Sequence, residues 1–161
     1  VTRRNPDHLD AHHHTANFTA GLVELLTRLA ERLGCAIRKP CSGKAEDVAT
    51  YLPPALQLKV APGYLQYPGQ RIPCTTDRFI GDFFGKGAAL EHLLEIFEQL
   101  AHGQDTLTYE LMCHPAIPDT ALMNISDYNK MRGEELEILT AAQVKNALSN
   151  GKIELISFDQ L

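Results

Sequence analysis

The chain has no tryptophan, and only 7% of its 161 residues are aromatic. No apolar run approaches the roughly 20 residues that a membrane-spanning helix needs. Cysteine is sparse and carries no pattern: Cys35, Cys41, Cys74 and Cys113 show no C-x-x-C spacing. That excludes a zinc knuckle and a disulfide framework, and it points to free thiols in a reducing, cytoplasmic compartment. Positive charge is in deficit, with 15 Lys and Arg against 20 Asp and Glu and a net charge of -5. A nucleic-acid or anionic-membrane partner would favour basic patches, so neither is expected. No internal repeat, low-complexity segment or signal peptide is visible in these residues. The first residue is Val1 rather than Met, so an upstream part is expected to be absent.

What the chain does have is histidine, concentrated near its start. Pro6-Asp7-His8-Leu9-Asp10-Ala11-His12-His13-His14 holds four His and two Asp in nine residues. In an extended chain alternate side chains share a face, which would place His8, Asp10, His12 and His14 together. Imidazole nitrogens and a carboxylate oxygen on one side suit a divalent metal such as Zn²⁺. An affinity-tag scar and a solvated polar loop are the competing readings. The first is disfavoured by the run's internal position and its Asp and Leu neighbours.

Elsewhere the elements alternate. Residues 8–14 read as a strand. Leu22, Leu25, Leu26, Leu29 and Leu33 fall at helical spacing over 20–33, and Gly34 supplies the stop. Ala36-Ile37-Arg38 is a short strand. Residues 40–74 form a long Pro-rich loop, with one or two helical turns expected over 46–51. Strand 78–84 ends at Gly85. A helix over 88–101 would bury Leu90, Leu93, Leu94, Phe97 and Leu100. Strand 106–112 delivers Cys113-His114-Pro115 at its end. Ser126 is read as the N-cap of a helix carrying Tyr128, Met131, Arg132, Leu136 and Leu139. Thr140 and Gln143 suggest a capping box for a further helix that stops at Asn150-Gly151. Residues 153–158 read as a last strand. This alternation is that of a single α/β domain over 1–161 with mostly parallel strands, an open sheet or a (β/α) barrel. In both, function gathers where strands end, which is where His12, His14 and His114 are placed.

The histidine segment resembles the "P-x-H-x-D-S-H-x-H" signature of the YdjC-like carbohydrate deacetylases, which include chitooligosaccharide deacetylases. Further motifs follow in the family's order. Phe83-Phe84-Gly85 is similar to its "F-Y-G" turn, and Glu110-Leu111-Met112-Cys113-His114-Pro115 to its "E-L-M-C-H-P-G" strand end. Ser126, Tyr128, Arg132 and Glu135-Leu136 are similar to its "S-x-Y-x-x-x-R-x-x-E-L" helix. Residues 153–158 match its closing strand.

The resemblance implies a partial (β/α) barrel related to polysaccharide deacetylases. It also implies a divalent metal, Mg²⁺ or Zn²⁺, and hydrolysis of N-acetyl groups on amino sugars or chitooligosaccharides. The family's N-terminal "N-A-D-D-F-G" strand and its "G-L-H" segment are not found here. Ala11 stands where the family has Ser, and Thr15-Ala16 replaces a Val-His continuation. The resemblance thus covers the C-terminal part of such a protein, and this chain alone is expected to have little activity.

An acetamide carbonyl is a poor electrophile. A metal polarises it and lowers the pKa of bound water to about 7. One group then takes the water proton and a second protonates the leaving amine. Matched to the family motif, His12 is the first metal ligand, and His14 is a second ligand or a substrate contact. Asp10 is a catalytic carboxylate or orients a ligating imidazole. His114 is an acid or a donor to the tetrahedral oxyanion, against a structural role at a strand end. Phe84, Tyr128 and Arg132 are assigned to the sugar, against local packing for the aromatics and a helix-face pair of Arg132 with Glu135. His13, His92 and His102 are read as exposed or solvated, and Cys113 as a small buried residue. The partner expected is a small carbohydrate, and a homo-oligomer is compatible with the sequence. The alternatives are another metal-dependent amide, ester or phosphate hydrolase, or a non-catalytic carbohydrate-binding or assembly module.

Overall fold

The computed structural model describes residues 5–40, 74–103, 106–150 and 152–161. Most of the Pro-rich loop, including the helical turns expected over 46–51, lies outside the described residues. The chain divides into two compact units. The first comprises Val1–Phe79, Leu107–Glu110 and Ile156–Leu161; the second comprises Ile80–Thr106 and Leu111–Leu155.

In the first unit, β1 (His8–Leu9) pairs in parallel with β2 (Ala36–Ile37), His8 opposite Ala36 and Leu9 opposite Ile37. Parallel neighbours need a crossover, and α1 (Ala20–Leu33) provides it. Thr19 caps α1 by accepting from the Leu22 N–H at 3.3 Å. Gly34 ends it with φ +66 and ψ +40, a left-handed residue that glycine adopts without a Cβ penalty. The Cys35 N–H returns to the Ala30 carbonyl at 3.1 Å. Ala30, Cys35 and Ile37 form the buried centre, with Leu9, Leu26 and Leu33 packed on it. Burial raises the Cys35 thiol pKa, and the nearby Asp7 carboxylate adds to the rise.

β3 (Arg78–Ile80) and β4 (Tyr109–Leu111) make the other strand pair. The Arg78 N–H donates to the Thr108 carbonyl, and the Met112 N–H to the Ile80 carbonyl. Partners that advance together along both strands mark a parallel pair. In the second unit α2 (Leu90–His102), α3 (Thr120–Ile125), α4 (Lys130–Leu139) and α5 (Ala142–Ser149) follow in order. Its core centres on Phe83, Leu93 and Val144, with Leu90, Phe97, Ile138 and Leu148 against them. No helix among the described residues is long and apolar enough to cross a membrane.

The α/β class with parallel strands therefore holds. The described strands form two two-stranded sheets and do not by themselves trace a closed barrel. Several local expectations change. The strand read over 8–14 ends at Leu9, and residues 12–17 form a 3-10 turn. Ser126 closes α3, a helix capped by the Asp119 carboxylate, while α4 starts after Asn129, whose Oδ1 accepts from the Lys130 N–H at 2.6 Å. Thr140 makes no capping box, because its hydroxyl donates back to the Leu136 carbonyl at 2.7 Å. Residues 153–157 form no strand, and a 3-10 turn follows at Phe158–Gln160. Leu155 is 74% exposed, so this apolar run has no packed face to hold it extended.

Candidate functional site

The histidine segment leaves β1 extended as far as Ala11 (φ -115, ψ +123). It then turns, and the His14 N–H donates to the Ala11 carbonyl at 2.8 Å. His13 (φ +52, ψ +27) and His14 (φ +56, ψ +24) are both left-handed. Such residues cost about 1 kcal/mol or more each, with His among the non-glycine types enriched there. The alternation that would have aligned His8, Asp10, His12 and His14 on one face therefore stops at Ala11. The His12 and His13 rings are exposed and stack at 4.1 Å. His14 turns inward, its ring meeting Phe79 edge-on at 5.7 Å. His8 bonds Asp7 at 2.7 Å and stacks on Phe158 at 4.1 Å.

Asp10 is engaged by a residue the sequence did not single out. Arg38, immediately after β2, donates from Nη1 to Asp10 Oδ2 and from Nε to Glu110 Oε1, each at 2.5 Å. Its guanidinium carbon also lies 5.9 Å from the centre of the Phe79 ring. Burial pushes the Glu110 carboxyl pKa up, and the attraction of Arg38 only partly offsets this. Among the described residues, no three His, Cys, Asp or Glu side chains gather closely enough to hold a metal ion. With Asp10 bound to Arg38, the described residues around His12 and His14 do not make up a metal donor set.

Four of the expected residues come together in the second unit. Phe83 is fully buried, so the next residue, Phe84, faces outward and is 43% exposed. Gly85 has φ +57, and its N–H donates to the Tyr128 hydroxyl at 2.9 Å. Phe84 stacks on Tyr128 at 4.8 Å and meets the His114 ring edge-on at 5.3 Å. Arg132 donates from Nε to the Tyr128 carbonyl at 2.9 Å and from Nη1 to the His114 carbonyl at 3.2 Å. Its guanidinium lies 5.4 Å from the centre of the Tyr128 ring, in reach of a cation–π contact.

Glu135 joins these groups. It has no exposed surface. Its Oε1 accepts from the Tyr128 hydroxyl and its Oε2 from the His114 backbone N–H. Burial first, and then the bond to Glu135, push the Tyr128 hydroxyl pKa up to about 12. Gly133 lets α4 approach the segment after His114. A Cβ there would lie 3.1 Å from Pro118 Cγ, and the Ala116 N–H reaches the Arg132 carbonyl at 3.1 Å. His92 sits beside Asp82 at 3.3 Å, and His102 bonds the Glu98 carbonyl at 2.8 Å.

The sequence is similar along most of its length to proteins already characterised as a family. The profile of the YdjC-like proteins matches residues 1–150. A carbohydrate deacetylase of Brevibacillus brevis is 30% identical over 154 residues, covering 96% of this chain and 53% of that protein. One from Enterococcus faecalis is 28% identical over 158 residues, covering 98% and 53%. The chain thus spans about half the length of the curated relatives it matches. A crystal structure described as that of a cellobiose-phosphate cleavage protein from E. faecalis superposes with a TM-score of 0.75 at 26% identity. It covers 98% of this chain and 53% of its own. The chain belongs to the YdjC-like protein family.

Proposed function

We propose that this chain serves a metal-dependent carbohydrate deacetylase that removes N-acetyl groups from amino sugars or chitooligosaccharides, on a (β/α) barrel to which its parallel strand pairs contribute. The observation that carries the reading is the Phe84–His114–Tyr128–Arg132 cluster in a chain whose relatives include carbohydrate deacetylases. Water adds its oxygen to the acetamide carbonyl carbon, the C–N bond breaks, acetate leaves, and the amine takes a proton. Asp10 takes the water proton or orients a ligating imidazole, with Arg38 fixing its carboxylate. His114 gives a proton to the departing amine or a hydrogen bond to the oxyanion. The exposed ring of Phe84, supported by Tyr128, offers an apolar face to a sugar, and Arg132 flanks it.

When bound, a divalent metal, Mg²⁺ or Zn²⁺, supplies Lewis-acid polarisation of the carbonyl and activates water. His12 and His14 are the donors proposed from this chain. The setting proposed is cytoplasmic, with a small carbohydrate as partner and a homo-oligomer as an available assembly. Acetate release from diacetylchitobiose by the complete protein, with added Mg²⁺ or Zn²⁺ and again after chelation, tests the reading. Release that survives chelation unchanged removes the metal from it, and no release removes this substrate.

The Enterococcus structure's description favours a second reading, cleavage of a phosphorylated disaccharide. Sugar-phosphate turnover without acetate release would select it.

A further inference from the structure

Glu110 lies at the middle of β4 with 8% of its surface exposed, and burial raises its carboxyl pKa. Only one of its oxygens is engaged. Oε1 accepts from Arg38 Nε at 2.5 Å, whereas Oε2 is buried and meets no donor among the described residues. A carboxylate placed this way costs stability, and an apolar residue of similar volume is often neutral or better at such a position. Packing alone therefore gives no reason for an acid here. The reason lies in what Arg38 does with its other nitrogens.

Arg38 follows β2, and its guanidinium reaches from Glu110 to Asp10, which follows β1. Nη1 donates to Asp10 Oδ2 at 2.5 Å. The two carboxylates are not equivalent supports. Glu110 is fixed by a strand and by burial, while the Asp10 side chain is 35% exposed and precedes the left-handed turn at His13 and His14. Glu110 is thus the anchored end and Asp10 the adjustable one. With Nε committed to Glu110, Arg38 gives Asp10 a single nitrogen rather than the two-nitrogen fork that a guanidinium can give a lone carboxylate. Asp10 Oδ1 has no hydrogen bond among the described residues.

We propose that Glu110 is the positioning residue of Asp10. Acting through Arg38, it keeps Oδ2 occupied and leaves Oδ1 to take the proton of the water that adds to the acetamide carbonyl, a role that rests on the deacetylase reading above. Support of a reacting group by a partner one residue further out is worth a large share of its effect, because the group's orientation is set before the substrate arrives.

The test compares Glu110→Leu, Glu110→Gln and Arg38→Met in the complete protein, beside Val23→Ala, a change at a buried residue of α1. Crystal structures and steady-state acetate release from diacetylchitobiose are read for each. Leucine leaves Nε without an acceptor, and glutamine restores one oxygen to it. Glu110→Leu is expected to release the guanidinium, move the Asp10 carboxylate and lower kcat about 10- to 100-fold with KM little changed. Glu110→Gln is expected to keep Arg38 and Asp10 in place and retain most of the rate. Because both act through one guanidinium, Glu110→Leu combined with Arg38→Met should lose no more than Arg38→Met alone. Val23→Ala should lower the melting temperature and leave kcat unchanged. Arg38 and Asp10 unmoved in Glu110→Leu would overturn the inference. So would glutamine losing as much rate as leucine, or losses that multiply in the double variant. If the wild-type protein releases no acetate, the deacetylase reading fails on its own, and the crystal structures still decide whether Glu110 holds Asp10 through Arg38.

Discussion

The Tyr128 hydroxyl donates to Glu135, a carboxylate with no exposed surface. Burial and this bond raise the Tyr128 pKa from 10.0 to about 12. An acid whose folded value is raised contributes stability below its unfolded value, and that contribution is lost as pH rises through the folded value. Tyr128 should therefore drive loss of stability between pH 10 and about 12. Tyr128→Phe is expected to flatten that alkaline decline. Denaturant unfolding at intervals across the window checks this, and parallel slopes in the two proteins would count against it.

Arg38 holds two carboxylates, and removing it strands both. Arg38→Met is expected to cost about 2 kcal/mol, the figure for a broken buried pair reduced for partial exposure. Glu110→Gln should cost less, because burial already disfavours the Glu110 charge and Arg38 keeps Asp10. Paired urea melts give the comparison, and the reverse order would mean the guanidinium is dispensable.

These two clusters show how unevenly the sequence discloses the molecule. Helix α1 was legible because its leucines repeat at helical spacing and Gly34 marks its end. Helix α3 was not, since six residues are too few to show a period, and its N-cap Asp119 follows a proline in what reads as a turn. The parallel strand pairs were legible as a class from the alternation of elements, but not closure of a barrel. The family resemblance picks out Phe84, His114, Tyr128 and Arg132, which lie together in one unit. Glu135, three residues after Arg132, reads in the sequence only as a surface partner. Only tertiary packing shows that it faces inward to Tyr128 and His114. Arg38 and Glu110 lie 72 residues apart, a separation no local pattern can bridge.

Asp77 accepts from the Thr108 N–H and hydroxyl, each at 2.8 Å. The backbone bond, and then the hydroxyl bond, hold its pKa below the usual carboxylate value of 3.8. A depressed acid contributes stability above its unfolded pKa and loses it as pH falls through the folded one. Stability should therefore fall below about pH 4, and Asp77→Asn should lessen that fall. Acid titration of the unfolding midpoint tests it, and an unaltered acid limb would rule it out.

His13 and His14 adopt positive φ, where a β-branched side chain is strained. His13→Val is expected to cost about 1–2 kcal/mol, whereas His13→Gly should be near neutral, its relief of strain offset by chain entropy. Equal melting temperatures for the two variants would show that the turn is not kept in solution.

Under the deacetylase reading, His12→Ala in the complete protein should lower acetate release by more than about 100-fold and reduce bound metal, because it removes a donor rather than a supporting group. His13→Ala should be mild. Metal content by elemental analysis and initial rates for both variants decide it, and a larger loss at His13 would reverse the ligand assignment.

Gly133 lies between Arg132 and the turn that carries Glu135, and its missing methyl group sets how near α4 can come to Pro118. That gap works as a spacer gauge. It fixes the reach of Arg132 and Glu135 to His114, although Gly133 has no side chain to touch any of them. An alanine there would push the helix outward by a few tenths of an ångström. The misfit would be felt at three hydrogen bonds at once, so a residue with no functional group would behave in a mutational scan like one of the site's own.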